Sequence, residues 1–170
     1  ACKRALRGEP ALKAFLRRGQ ACASPGEGAF IKPSGLCRID GRIMLEWLRT
    51  LVVDDQASMR ALVMSALRGL GVRSMLEAGD GQEALDLLAR KPVDLVLLDA
   101  EMPKLDGLGV LRTVRMDPTL GSLKVIMMTG RADAEFVKTV ARLGVDGYLA
   151  KHVSAAALLG NIQHAMRTRA

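Results

Sequence analysis

Two short apolar runs in this chain stop on acid: Leu48–Val53 runs into Asp54-Asp55, and Val93–Leu98 runs into Asp99. Such runs have the length of single strands. Strands without an apolar–polar alternation are buried on both faces, which is the condition of strands in a parallel sheet sandwiched by helices. The rest of the chain keeps that rhythm. Gln56–Leu70 places Met59, Leu62, Val63, Ala66, Leu67 and Leu70 at helical spacing, with Gly69 and Gly71 where a helix stops. Val72–Ala78 reads as a weaker strand, followed after Asp80-Gly81 by a helix carrying Ala84, Leu85, Leu87 and Leu88 that ends at Lys91-Pro92. Beyond Asp99 and Pro103, Asp106-Gly107 opens a helix through Leu108, Val110, Leu111 and Val114. Leu123–Met128 is a fourth strand ending at Thr129-Gly130, Asp133–Leu143 a helix, Val145–Ala150 a fifth strand and Ser154–Met166 a last helix.

Five β-then-α units are too few for an eight-stranded barrel, so the expected fold is α/β, an open, doubly wound five-stranded parallel sheet with helices on both faces. In such sheets the functional crevice lies at the carboxyl ends of the strands. The polar residues just beyond strands 1, 3, 4 and 5 are Asp54-Asp55, Asp99, Thr129 and Lys151. Three carboxylates on one rim repel one another, and a divalent cation relieves that repulsion. An oxygen-only ligand set suits Mg²⁺, which readily shares a phosphate oxygen. Asp99 is then a candidate nucleophile toward phosphorus, Lys151 a compact cation for a phosphoryl oxygen, and Thr129 a hydrogen-bond donor to another. Singly, each residue has an ordinary role: a strand-end aspartate is commonly a cap or turn former, as Asp106 before Gly107 is expected to be. The convergence of four strand ends has no such explanation.

Charge is unevenly placed. The chain carries 25 Lys and Arg against 18 Asp and Glu, a net +7. Residues 1–43 hold nine of the basic and three of the acidic residues, which leaves residues 44–170 nearly neutral. All three cysteines (Cys2, Cys22, Cys37) lie in that first stretch, so the remainder needs no disulfides and suits a reducing, cytoplasmic setting. No apolar run approaches the roughly 18 residues of a membrane span. The expected division is a basic, flexible extension at 1–46, with a translation start at Met44 as the alternative reading of that stretch, and a folded domain at 47–168. The extension offers only Phe15 and Phe30 for stacking, so specific nucleic-acid binding is not expected.

The segments Leu51-Val52-Val53-Asp54-Asp55, Leu97-Leu98-Asp99-Ala100-Glu101-Met102-Pro103 with Asp106-Gly107, Met128-Thr129-Gly130 and Tyr148-Leu149-Ala150-Lys151 resemble the receiver domain of bacterial response regulators, in order and at matching spacings. The resemblance implies a CheY-like fold with strand order 2-1-3-4-5, and Asp99 as acceptor of a phosphoryl group from a histidine kinase or phosphotransfer protein. It implies Mg²⁺ held by Asp54, Asp55, Asp99 and the backbone carbonyl of Glu101. It implies a switch in which Thr129 moves toward the phosphoryl group and Tyr148 rotates inward. It also implies a partner-binding face on helix 133–143, strand 145–150 and helix 154–166, and a phosphorylation-dependent dimer. Such a domain is a phosphoacceptor with slow autodephosphorylation rather than an enzyme with a separate substrate.

This chain departs from the family pattern at His152, where a proline usually follows the lysine and the peptide bond is often cis. Glu101 and Arg131 flank the acceptor in positions that would tune the lifetime of the phosphoryl group. The last helix leaves four residues, so no attached output domain is expected. Two alternatives stand beside this reading. One is a pseudo-receiver that binds partners without phosphorylation. The other is a Mg²⁺-dependent phosphatase with an aspartate nucleophile, which would want an aspartate where Glu101 stands.

Overall fold

In a computed structural model of the chain, the described residues are 38–39, 42–43, 45–130, 134–151 and 154–167. Five parallel strands, β1 (Arg49–Val53), β2 (Ser74–Ala78), β3 (Leu95–Asp99), β4 (Lys124–Thr129) and β5 (Gly147–Ala150), form one sheet in the order 2-1-3-4-5. The helices are α1 (Ala57–Gly69), α2 (Gly81–Arg90), α3 (Gly107–Met116), α4 (Ala134–Arg142) and α5 (Ala155–Arg167). The expected doubly wound architecture is present.

Side chains alternate across the sheet and divide the core in two. Leu51, Val53, Val96, Leu98, Val125 and Met127 face α2, α3 and α4, meeting Ala84, Leu88, Val110, Leu111, Val114 and Val140. Val52, Leu95, Leu97, Ile126, Met128 and Leu149 face α1 and α5, meeting Val63, Leu67, Leu158, Ile162 and Met166. Each fully buried Leu or Ile contributes about 1.5–3 kcal/mol over an exposed one. That is why β3 and β4, buried at every position, read as unbroken apolar runs.

Among the strands that begin later than their apolar patterns predict, two do so for one reason. Val72–Ala78 and Val145–Ala150 are shortened to Ser74–Ala78 and Gly147–Ala150. Each is preceded by the same tripeptide, Leu-Gly-Val. Gly71 (φ 96°) and Gly144 (φ 81°) take the left-handed conformation that glycine adopts without steric cost. The following valine then turns its N–H back onto the helix, Val72 to the Leu67 carbonyl at 3.0 Å and Val145 to the Val140 carbonyl at 3.4 Å. Both valines therefore close the preceding helix in a Schellman turn before their strands start.

The lower ends of the strands are tied by buried ion pairs absent from the sequence expectations. The Asp94 carboxylate accepts from the Arg49 backbone N–H (3.1 Å), Nε (2.8 Å) and Nη2 (2.7 Å). Asp146 accepts from Arg115 Nη2 (2.7 Å) and the Val125 N–H (3.0 Å), with Lys124 Nζ at 3.4 Å. Arg115 also donates to the carbonyls of Gly144 (2.9 Å) and Leu123 (3.0 Å).

Within the stretch expected to be a flexible extension, Arg38–Ile39 pairs antiparallel with Arg42–Ile43, and Leu45–Trp47 forms a 3₁₀ turn leading into β1. Residues 1–37 lie outside the described residues, as do Arg131, Asp133 and His152; the described part of the helix expected at 133–143 begins at Ala134.

Candidate functional site

Strand register brings the upper rim together. Val53 pairs with Leu98, so Asp54 and Asp99 leave neighbouring strands side by side. Asp99 pairs with Met128, and Thr129 pairs with Ala150, so Thr129 and Lys151 lie one step further along the same rim. The Lys151 N–H donates to the Thr129 carbonyl at 3.0 Å, joining the ends of β4 and β5. All five sequence-predicted rim residues are thereby gathered at one end of the sheet.

Asp54, Asp99 and Thr129 are buried, Lys151 is half-buried and Asp55 is exposed. Lys151 Nζ donates to Asp99 Oδ2 at 2.7 Å and lies 3.4 Å from Asp54 Oδ2. The remaining oxygens turn back onto the loops: Asp99 Oδ1 accepts the Glu101 N–H (3.2 Å) and Asp54 Oδ1 the Gln56 N–H (2.8 Å). Asp54 Oδ2 is buried and takes no hydrogen bond, its contact with Lys151 being a charge contact only. Burial pushes the Asp99 carboxyl above its ordinary range, with the Asp54 charge adding to the rise, against the opposing effects of Lys151 and the Glu101 N–H. Burial alone would lower the Lys151 ammonium, but its bond to Asp99 and the charges of Asp99 and Asp54 win and raise it.

Carboxylate oxygens of Asp54, Asp55 and Asp99 lie within 4.8 Å of one another. A buried acceptor without a donor, in an oxygen-only set with one exposed member open to water, fits a hard divalent cation such as Mg²⁺.

The loops that carry these residues are shaped by close packing. Asp106 caps α3 as expected, accepting from the Gly109 N–H at 2.8 Å. Gly107 has a second role that the cap reading missed: a Cβ there would overlap the Asp99 carbonyl oxygen, so α3 can abut the acceptor strand only through glycine. The β2–α2 loop is similarly close, since a Cβ on Gly81 would stand 2.5 Å from the Leu105 carbonyl oxygen. Across that contact Lys104, in the left-handed region at φ 67°, reaches Asp80 Oδ2 at 2.6 Å. Arg60 was also missed. Its Nη1 donates to the Asp54 carbonyl at 2.9 Å and its Nε to Glu77 Oε2 at 3.1 Å. Its helical offset from Asp54-Asp55 was the available signal, one turn into α1 and on the side facing the rim.

Glu101 is exposed beside Asp99, whereas its expected counterpart Arg131 lies outside the described residues. Tyr148 is half-buried in β5, packed against the core on the α4 side.

An acidic cluster, a lysine and a hydroxyl thus stand together at the carboxyl ends of the strands of an open doubly wound sheet, where this class of α/β domain has its functional crevice. The sequence pattern of the response regulator receiver domain matches residues 50–163, and the chain belongs to that family. It is similar to a probable chemotaxis protein CheY of Rhizobium etli, 38% identical over 106 residues, which span 62% of this chain and 82% of that protein. It is likewise similar to chemotaxis protein CheY-3 of Vibrio cholerae, 39% identical over 111 residues (65% and 85%). Among solved structures, chemotaxis protein CheY4 of Vibrio cholerae aligns with a TM-score of 0.65 at 28% identity, covering 69% of this chain and 98% of that one. CheY of Borrelia burgdorferi, solved with CheX, BeF3 and Mg²⁺, shares the fold at 24% identity with a TM-score of 0.65, covering 70% of this chain and 89% of that one. The chain is thus a CheY-like receiver domain of two-component signalling. Among the described residues, no helix is long and apolar enough to cross a membrane.

Proposed function

We infer that Asp99 accepts a phosphoryl group from a phosphohistidine on a sensor kinase or phosphotransfer protein. A carboxylate oxygen of Asp99 bonds to phosphorus as the phosphorus–nitrogen bond of the donor breaks. The bonding electron pair stays on the imidazole, which leaves neutral once protonated. The observation that carries this reading is the buried Asp99–Lys151 pair beside Asp54 Oδ2, which takes no hydrogen bond: a candidate acceptor, its counter-cation and a candidate metal-ligand atom at one strand end.

Asp54, Asp55 and Asp99, with the Glu101 carbonyl, would hold Mg²⁺, which when bound neutralises charge on the phosphoryl oxygens. Lys151, already held by Asp99, has its ammonium where one phosphoryl oxygen would arrive. Burial at the end of β4 lets Thr129 offer its hydroxyl to another from an element that can shift. Movement of Thr129 would leave room for Tyr148, whose backbone sits two residues earlier on the paired strand, and so alter the surface of α4, β5 and α5. Val137, Ala141, Ala155 and Ala156, small or apolar, are exposed on α4 and α5 and would permit close docking of a protein partner. The Borrelia protein carries BeF3 and Mg²⁺ in a complex with CheX, which supports metal-assisted chemistry and partner binding in this fold.

The test is incubation with acetyl phosphate and Mg²⁺ followed by intact-mass measurement. An adduct of about 80 Da, one HPO₃ group, is expected on the wild type and absent from Asp99→Ala. A folded wild type that gains no adduct would refute the reading and favour a pseudo-receiver.

A further inference from the structure

We propose that Arg60 is a positioning residue for the cation site, holding the Asp54–Asp55 peptide in the orientation that presents both carboxylates.

The geometry is a frame around the backbone of one residue, Asp54. The Asp54 N–H donates to the Ala78 carbonyl (3.3 Å) at the end of β2. The Asp54 carbonyl accepts from Arg60 Nη1 (2.9 Å), and the same guanidinium is anchored through Nε to Glu77, the residue before Ala78. Both polar groups of the Asp54 backbone are therefore tied to the end of β2, one directly and one through Arg60. The frame's side-chain member is well packed: the Arg60 side chain is 18% exposed, whereas Glu77 is open at 56%. Asp54 Oδ1 is fixed in turn by the Gln56 N–H, which leaves Oδ2 as the free ligand atom. Asp55 follows the held carbonyl directly, so the peptide plane that Arg60 fixes sets the direction in which its side chain departs. Only a fork-shaped donor can bridge the carbonyl and the carboxylate together; a lysine can satisfy one of them.

A second role for Arg60, as a simple charge, predicts the opposite behaviour. A cation beside a divalent metal site weakens metal binding by repulsion, so removing it would tighten the site. A positioning residue weakens the site when removed. The sign of the change separates the two.

The inference rests on the cation-binding reading of the rim, and its test is isothermal calorimetry of Mg²⁺ binding to the unphosphorylated full chain. Arg60→Lys keeps the charge and loses the fork; its Kd for Mg²⁺ should rise several-fold. Arg60→Met loses both; its Kd should rise about ten-fold, the scale of losing a group that orients a metal ligand. The acetyl phosphate reaction should then need correspondingly more Mg²⁺ to reach half its maximal rate, with the maximal rate itself within about two-fold of wild type. A Kd unchanged or lowered in folded Arg60→Met, or unchanged in Arg60→Lys should the Met variant not fold, overturns the role of Arg60. Absence of Mg²⁺ binding by the wild type would overturn the cation site itself.

Discussion

At the lower rim of the sheet, Asp94 and Asp146 are buried and each is gripped by an arginine and a backbone N–H. At the upper rim, Asp54 and Asp99 are buried as deeply, but the two share one lysine with Asp55 close by, and Asp54 Oδ2 takes no hydrogen bond. The lower side chains (Arg49, Arg115 and Lys124 against two aspartates) carry a net positive charge; the upper cluster is net negative. One residue type thus does two jobs at opposite ends of the same strands. Where both its oxygens accept hydrogen bonds it fastens loops, and where one does not, as at Asp54, it can serve as the ligand of the cation site proposed above. Arg49 shows the first case in its own titration: its bond to Asp94 holds the guanidinium above its already high range, against the effect of burial.

The sharpest way to break this contrast is at Asp146. Asp146→Ala leaves Arg115 and Lys124 in the interior without the carboxylate that faces them, and breaking a buried pair from one side costs about 3–5 kcal/mol. Urea unfolding should show a free energy of unfolding lowered by that amount, read as a lower midpoint with the slope unchanged; a loss under about 1 kcal/mol would mean that the lower rim is not the fastener described here.

Asp99→Asn should act in the other direction. A carboxyl whose folded pKa lies above its unfolded value of 3.8 binds more protons when folded, so its contribution to stability falls as pH rises from 3.8 through the folded value. The Asn variant lacks that slope. In a chelator, it should therefore gain steadily on the wild type as pH rises from 3.8 through the folded value of the Asp99 carboxyl. Thermal melts of both proteins across that range check it, and an advantage that shrinks with pH would reverse the electrostatic reading of the upper rim.

Between the rims lies a smaller test. Thr50 Oγ1, in the middle of β1, is buried without a hydrogen-bond partner and has no ligand to wait for. Thr50→Val should stabilise the domain by about 0.5–1 kcal/mol, measured by the same unfolding curves, with the Mg²⁺ affinity unaltered. A stability loss would place an unseen partner on that hydroxyl.

Much of this was legible in the chain, for reasons that differ by residue. β3 and β4 announced themselves because burial on both faces removes polar residues from a strand, and Asp54, Asp55, Asp99, Thr129 and Lys151 stood out by breaking those runs. The starts of β2 and β5 were misread because Val72 and Val145 are apolar for a helix-closing contact, which has the same hydropathy as a strand. The ion pairs of the lower rim were invisible. Arg49 pairs across 45 positions and Arg115 across 31, and nothing local marks which arginine will meet which aspartate. Gly107 and Arg60 were hidden in another way, since each serves the backbone of a site residue rather than its side chain.

Arg115 has a mechanical consequence. By holding the Gly144 carbonyl, the start of β4 and Asp146, it pins the C-terminal end of α4 to the base of the domain. A nine-residue helix is about 13 Å long. If it is fixed at its foot, a tilt of about 10° carries its head roughly 2 Å by the same geometry while the foot scarcely moves. Any tilt about that foot would thus displace the N-terminal end of the helix most, the displacement growing along its length.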